Sequence, residues 1–151
     1  MIFGKKEKLY IYGDTFPTPD GTAIRDYIDV NDLVDGHIRA LEWTFLQPCG
    51  KWDVWNLGTG KGFSVKELVD ITEKISQKKI PTEVIARRSI DLATPISNPS
   101  KAEMELHWKT KRDIEESIAN SWKFLSRIRK QETDGKKPRV IHFLPYFLPH
   151  S

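Results

Sequence analysis

Asn56-Leu57-Gly58-Thr59-Gly60-Lys61-Gly62-Phe63-Ser64 is the stretch on which the fold turns. Ahead of it, Trp52, Val54, Trp55 and Leu57 supply the apolar positions of a strand running from Trp52 to Leu57. The glycines then allow a tight turn, and Ser64 with Glu67 sets a capping box, each side chain reaching an otherwise unpaired N–H at the start of a helix. Phe63 and Leu68 take the two positions of a hydrophobic staple, and Val65, Leu68, Ile71 and Ile75 make the apolar stripe behind it. The helix is expected to end near Gln77, where Lys78 and Lys79 suit the negative end of its dipole. A strand, a glycine turn and a capped helix in succession place the chain in the α/β class.

Working outward, Leu9 to Tyr12 is β-branched and aromatic and stops at Gly13-Asp14, so it reads as a short strand. A loop follows through Pro17, Pro19 and Asp20-Gly21, and Arg25 to Val30 is expected to be extended. From about Asn31 the period becomes helical, with Leu33, Val34, Ile38, Leu41 and Phe45 on one face and Asp35, Arg39 and Glu42 off it. Asn31 or Asp32 can cap that helix, and Pro48 and Gly50 close it. On the other side of the deciding stretch, Ile80 to Ala86 predicts a strand, which Pro81 places at an edge or at its own start. Ser100 and Glu103 form another capping-box pattern after Asn98-Pro99, and a last long helix is expected from about Asp113 to Lys130. Its face is made by Ile114, Ile118, Trp122 and Leu125.

These elements make one domain over residues 1–131, followed over 132–151 by a polar linker and a short apolar tail, Val140 to Leu148, interrupted by Pro145. The tail is too short for a membrane span and its prolines oppose a helix. Packing on the domain, meeting a partner and disorder all stay open for it.

The chain has 151 residues, 38% hydrophobic and 30% charged, the balance of an ordinary globular domain. Its formal charge of +3 is too small an excess to argue for nucleic acid, and no basic run is interleaved with aromatics. Cys49 is the only cysteine, so no internal disulfide asks for an oxidising compartment. No signal peptide and no run of about 20 apolar residues is seen, which makes a soluble chain in the cytoplasm the expectation. His37, His107, His142 and His150 lack metal-ligand spacing, and no metal is expected.

The glycine turn can cradle a phosphate on backbone N–H groups, or it is simply a tight connection. It fits neither the dinucleotide pattern G-x-G-x-x-G nor a P-loop. The arginines say more. Arg25 is followed at once by Asp26, and Arg87-Arg88 closes a predicted strand just before Asp91. A guanidinium fork suits diphosphate oxygens, and a carboxylate beside it can accept from ribose hydroxyls. Surface Arg–Asp pairs of little energetic worth are the equal alternative. No Tyr-x-x-x-Lys occurs anywhere.

Taken in order, Leu9-Tyr10-Ile11-Tyr12-Gly13-Asp14, Pro19-Asp20-Gly21-Thr22, Arg25-Asp26-Tyr27-Ile28, Asp32-Leu33 and Gly36-His37 resemble the second half of UDP-glucose 4-epimerases. Asn56 to Gly60 with Phe63-Ser64-Val65, Ala86-Arg87-Arg88, Asp91 and Asn98-Pro99-Ser100-Lys101-Ala102 continue the resemblance to about Lys130. It implies the C-terminal, UDP-sugar-binding part of an extended short-chain dehydrogenase/reductase fold of Rossmann type, with the N-terminal NAD-binding half missing. In that family NAD takes and returns a hydride at carbon 4 of the sugar, while a tyrosine with a lysine beside it handles the proton.

Carried over residue by residue, the resemblance has Arg25 and Arg88 hold the diphosphate and Asp91 a ribose hydroxyl. Tyr12 packs against the uracil with Tyr10 nearby, and Tyr27 and Asp26 support the Arg25 loop. No catalytic or NAD-binding residue is expected in the chain, which is then inactive alone. Its partners are UDP-glucose or UDP-galactose, the missing half or a complementary chain, and a second copy in a homodimer. Surface that the absent half would cover is expected to be bare and to favour self-association or marginal stability. Departures are Asp29 where the family has His, Ser89-Ile90 in place of Glu-Gly, and Pro95 at a position that sets pocket width. Two rivals remain: another UDP-sugar enzyme of the superfamily, such as a decarboxylase or a different 4-epimerase, and a noncatalytic interaction module that keeps the fold.

Overall fold

The computed structural model describes residues 7–133, so the apolar tail lies outside the described residues. Strand β1 (Leu9–Tyr12) and strand β2 (Ile24–Arg25) precede helix α1 (Val30–Phe45). Strand β3 (Phe63–Ser64) runs directly into α2 (Val65–Ser76), and β4 (Thr82–Ile85), α3 (Ser100–Glu105) and α4 (Ile114–Thr133) follow. Helix α4 therefore continues past the expected end at Lys130 and two residues into the predicted linker.

Two small sheets carry the architecture. β1 and β4 are parallel, with Leu9 opposite Thr82 and Tyr12 opposite Ile85. β2 and β3 are antiparallel, with Arg25 opposite Phe63. Parallel strands cannot be joined by a hairpin, and the crossover between β1 and β4 is made by everything from β2 to α2. Along β1 the side chains alternate as a strand requires: Ile11 is buried, while Tyr10 and Tyr12 point outward. Ile11, Val69 and Ile80 face one hollow beside α2, and α4 packs on the same helix.

Helix α2 forms as its sequence dictates. Ser64 accepts from the Glu67 amide at 3.0 Å and the Glu67 carboxylate accepts from the Ser64 amide at 2.7 Å, so both halves of the capping box are made. The helix ends at Gln77, whose φ of 56° is the left-handed conformation common at helix termini. At α3 the expected box does not form. Asn98 instead accepts from the Ser100 amide at 3.1 Å, which leaves Glu103 uninvolved in capping.

A sequence pattern shows which face is apolar but not whether anything covers it. In α1, Val34, Ile38, Leu41 and Phe45 form a stripe that is bare, Phe45 being 78% exposed. The helix buries Asp32 and Gly36 and half-buries Ala40 and Trp43, one turn apart along a different side. Gly36 sits so close to its neighbours that an added Cβ would lie 2.7 Å from Leu57 Cδ1 and 3.1 Å from Trp108 Cε2. Trp52 to Leu57 has the alternation of a strand, yet it makes none, because a strand needs a hydrogen-bonding neighbour and none of the described residues supplies one. Its inward residues still pack: Trp55 meets Trp43 edge-on at 4.8 Å, and with Leu57 it lies against a core of Ala102, Leu106 and Trp108. The extended piece expected from Arg25 to Val30 pairs as a strand only at Ile24–Arg25, and it gives way to helix at Val30, directly after the extended Asp29.

The cap of α1 is Asp29, rather than Asn31 or Asp32. Its Oδ1 accepts from the Asn31 amide at 2.8 Å and from the Asn31 side chain at 2.9 Å. Asp32 has a different task. It is 1% exposed and accepts from the backbone amides of Lys111 at 2.9 Å and Arg112 at 3.0 Å and from the Arg112 guanidinium at 2.5 Å. That carboxylate ties the first turn of α1 to the entrance of α4.

Candidate functional site

The parallel pairing of β1 with β4 puts Tyr12 and the residues after Ile85 at the same, carboxyl, ends of two strands, where open α/β sheets place their ligands. Gly13 donates to the Ile85 carbonyl at 2.9 Å and extends the pairing by one bond. Beyond it the chain turns back: the Asp91 amide donates to the Arg88 carbonyl at 3.2 Å, across Ser89 and Ile90. This turn folds the Asp91 carboxylate under the Arg88 guanidinium. Arg88 Nε and Nη2 donate to Asp91 Oδ2 and Oδ1 at 2.9 and 3.1 Å, a two-pronged pair. The same guanidinium stacks 4.6 Å from the Tyr12 ring centroid.

Arg25 arrives from the other sheet. The segment after the turn lies along β2, with the Ile24 amide donating to Ala93 at 2.8 Å. Arg25 Nη1 donates to the carbonyls of Ile24 and Leu92, each at 2.8 Å, and Nη2 stands 3.8 Å from Asp91 Oδ1. Two arginines, one aspartate and one tyrosine thus converge, drawn from β1, β2 and the 88–91 turn. Asp91's carboxylate pushes the Arg88 pKa further up, first by hydrogen bonding and then by its charge, so the arginine is a fixed cation. Tyr10 lies on the same outward face of β1, 45% exposed, with the Lys8 ammonium 5.8 Å from its ring.

Tyr27 does not join the group. It lines hollows with Leu68, Thr72 and Ile114, to which none of Tyr12, Arg88 or Asp91 contributes. Burial pushes its phenol above the ordinary tyrosine value, with the Arg25 charge partly offsetting the rise. Arg87, which the sequence singles out only as the neighbour of Arg88, stacks 4.5 Å over Phe16 and braces the loop after β1.

Asp26 holds the glycine turn rather than the Arg25 loop alone. Its Oδ1 accepts from the Thr59 amide at 2.9 Å and hydroxyl at 2.5 Å, and its Oδ2 from the amides of Gly60 at 3.1 Å and Ser97 at 3.2 Å. The Thr59 and Gly60 amides are therefore already bound to an anion of the chain itself, which favours the tight-connection reading over a phosphate cradle. A Cβ on Gly58 would lie 2.5 Å from Asp26 Oδ2, so only glycine lets the carboxylate approach. The signal that could have exposed this contact, an acidic residue next to a strand and a glycine turn with spare N–H groups, carries no sequence spacing.

Burial raises the pKa of Asp26, Asp20 and Asp29, but hydrogen bonds outweigh it and hold all three below the ordinary carboxylate value. The donors are Thr59, Gly60 and Ser97 for Asp26, Ser64 and Thr22 for Asp20, and chiefly Asn31 for Asp29. With folded pKa values below the unfolded ones, their stabilisation is complete above about pH 4 and is lost as pH falls through the folded values. The urea midpoint is expected to be level from pH 7 to 5 and to fall steadily below 4, less steeply in Asp26→Asn. A midpoint unchanged down to pH 3 would refute this.

No protein-family model matches the chain. It is 48% identical over 126 residues to the UDP-glucose 4-epimerase of Bacillus subtilis, a match that covers 83% of this chain and 37% of that protein. Among solved structures, the UDP-glucose 4-epimerase of Stenotrophomonas maltophila with bound NAD and formylated UDP-arabinopyranose superposes with a TM-score of 0.79 at 33% identity, over 85% of this chain and 38% of that one. The Bifidobacterium longum enzyme in complex with NAD+ and UDP gives 0.77 at 37% identity, over 83% and 37%. The fold is accordingly an α/β part of the extended short-chain dehydrogenase/reductase architecture. The chain belongs to the UDP-glucose 4-epimerase family and corresponds to a C-terminal portion of its members. It spans a little over a third of the length of these relatives.

Proposed function

We propose that residues 1–131 bind the UDP moiety of UDP-glucose or UDP-galactose and serve an NAD-dependent 4-epimerase, an isomerase of galactose metabolism. The observation that carries this reading is the convergence of Arg25 and Arg88 beside Asp91, with Tyr12 stacked on Arg88 at the carboxyl ends of β1 and β4. Arg25 and Arg88 take the diphosphate, Asp91 accepts from a ribose hydroxyl, and Tyr12 offers its ring to the base with Tyr10 alongside. Tyr27 acts from behind Arg25, through packing.

The described residues do not fit NAD. The only glycine-rich turn ahead of a helix among them has its amides engaged by Asp26, and the sequence holds no Tyr-x-x-x-Lys. NAD and the tyrosine–lysine base are therefore assigned to an N-terminal half or a complementary chain, and this chain alone is inactive. The bare stripe of α1 and the unpaired segment Trp52 to Leu57 support the need for such a cover. Without it, the chain is expected to self-associate, and a double variant Ile38→Glu/Phe45→Glu to sediment as a smaller species with little change in unfolding temperature. A parent chain that is already monomeric at high concentration would sink that expectation.

Calorimetric titration with UDP and then UDP-glucose tests the site. Binding by the parent and a loss of about 10- to 100-fold in Arg88→Ala, the range for charge-assisted hydrogen bonds, are expected. Equal binding by the two proteins would remove the diphosphate from this cluster.

A further inference from the structure

One edge of the Arg88 guanidinium is already filled. Both of its parallel donors, Nε and Nη2, are spent on Asp91, whose side chain is only 13% exposed while that of Arg88 is 59% exposed. Arg25 has given Nη1 to backbone carbonyls and turns its remaining Nη2 toward the same carboxylate. A bare anion arriving here either draws Arg88 away from Asp91 or takes the Nη1–Nη2 edge of the guanidinium, and in both cases it lies close to the Asp91 carboxylate. Loss of the ion pair opposes the first course, and like-charge repulsion opposes both. A ligand that brings hydroxyl donors along with its phosphates differs, because a hydroxyl can replace the N–H groups that Asp91 gives up.

We propose, resting on the UDP-sugar reading above, that Asp91 is a specificity-determining residue that sets nucleoside diphosphates apart from inorganic phosphate and diphosphate. Selectivity of this kind comes from a built-in repulsive element as much as from an attractive one. The 88–91 turn fixes that element in place, since the Asp91 amide is bonded to the Arg88 carbonyl and Arg87 Nη2 lies 3.5 Å from the Asp91 carbonyl. Position 91 is thus held by backbone as well as by its ion pair.

The test titrates UDP and inorganic diphosphate, at one ionic strength, into the parent, Asp91→Asn, Asp91→Glu and Arg88→Ala forms of the 151-residue chain. Removing the charge in Asp91→Asn is expected to tighten inorganic diphosphate about fivefold, the size of a half-exposed ion pair. With the ribose acceptor weakened as well, the ratio of UDP to diphosphate affinity should drop at least about tenfold. Asp91→Glu, which keeps the charge, should stay near the parent ratio, and Arg88→Ala should weaken both ligands. Asp91→Ser serves as a second uncharged variant, read in place of Asn if the latter loses the parent's far-UV spectrum. An unchanged ratio in the uncharged variant, with the parent binding UDP, overturns the proposal and leaves the UDP reading standing. A parent that binds no UDP overturns both.

Discussion

Trp108→Ala is expected to cost about 3–5 kcal/mol, the range for deleting a large aromatic side chain from a packed core. Trp108 is 2% exposed and packs with Ala102 and Leu106, against which Ile28, Trp43, Trp55 and Leu57 also lie. Its indole N–H donates to the Asp32 carbonyl at 2.9 Å, so truncation opens a cavity and removes a buried hydrogen bond at once. Domains of this size have only about 5–15 kcal/mol in hand. The variant should therefore show a large fall in urea midpoint, or no cooperative transition at all. A drop below about 1 kcal/mol would mean that the site collapses around the loss, and that the cluster is not the core it is taken for.

Asp32→Ala should cost as much, about 3–5 kcal/mol, by another route. Its carboxylate collects two backbone amides and a guanidinium, and removing it leaves Arg112 without its closest partner and the amides of Lys111 and Arg112 without an acceptor. Arg112→Ala should cost a comparable amount, because it leaves the Asp32 carboxylate, 1% exposed, with two backbone amides and without its closest counter-charge. Measuring both single variants and the pair by denaturant unfolding gives the coupling. A cycle that closes additively would show that Asp32 and Arg112 do not act as a pair.

What was legible in the sequence is what local chemistry controls. The Ser64–Glu67 box, the stop at Gln77 and the strands at Leu9–Tyr12 and Thr82–Ile85 depend on residues a few positions apart, and each is found where expected. The cluster of Arg25, Arg88, Asp91 and Tyr12 was legible through family resemblance, since side-chain chemistry alone left surface ion pairs an equal choice. The grip of Asp26 on the glycine turn and of Asp32 on the start of α4 was not legible, because each carboxylate meets donors far along the chain and nothing local marks them. The resemblance has Tyr27 support the Arg25 loop; its side chain lies toward α2 and α4, where the Arg25 charge still acts on its phenol. The apolar residues of α1 do fall on one face. Burial depends on what else is present, and here the helix covers Asp32 and Gly36 instead.

The parallel pairing of β1 with β4 also bears on how the molecule comes into being. During synthesis Leu9–Tyr12 leaves the ribosome about seventy residues ahead of Thr82–Ile85, an interval of about 4–15 s at elongation rates of roughly 5–20 residues per second. Throughout that wait the strand carrying Tyr10 and Tyr12 lacks β4, the partner with which it pairs, although the capped α2 can already form. Tyr12 gains its arginine only when the 88–91 turn emerges, so the nucleotide-facing cluster closes in one late event instead of growing with the chain. A ribosome-bound intermediate stalled after Ile80 should accordingly hold a formed α2 beside a protease-sensitive β1 that still lacks β4.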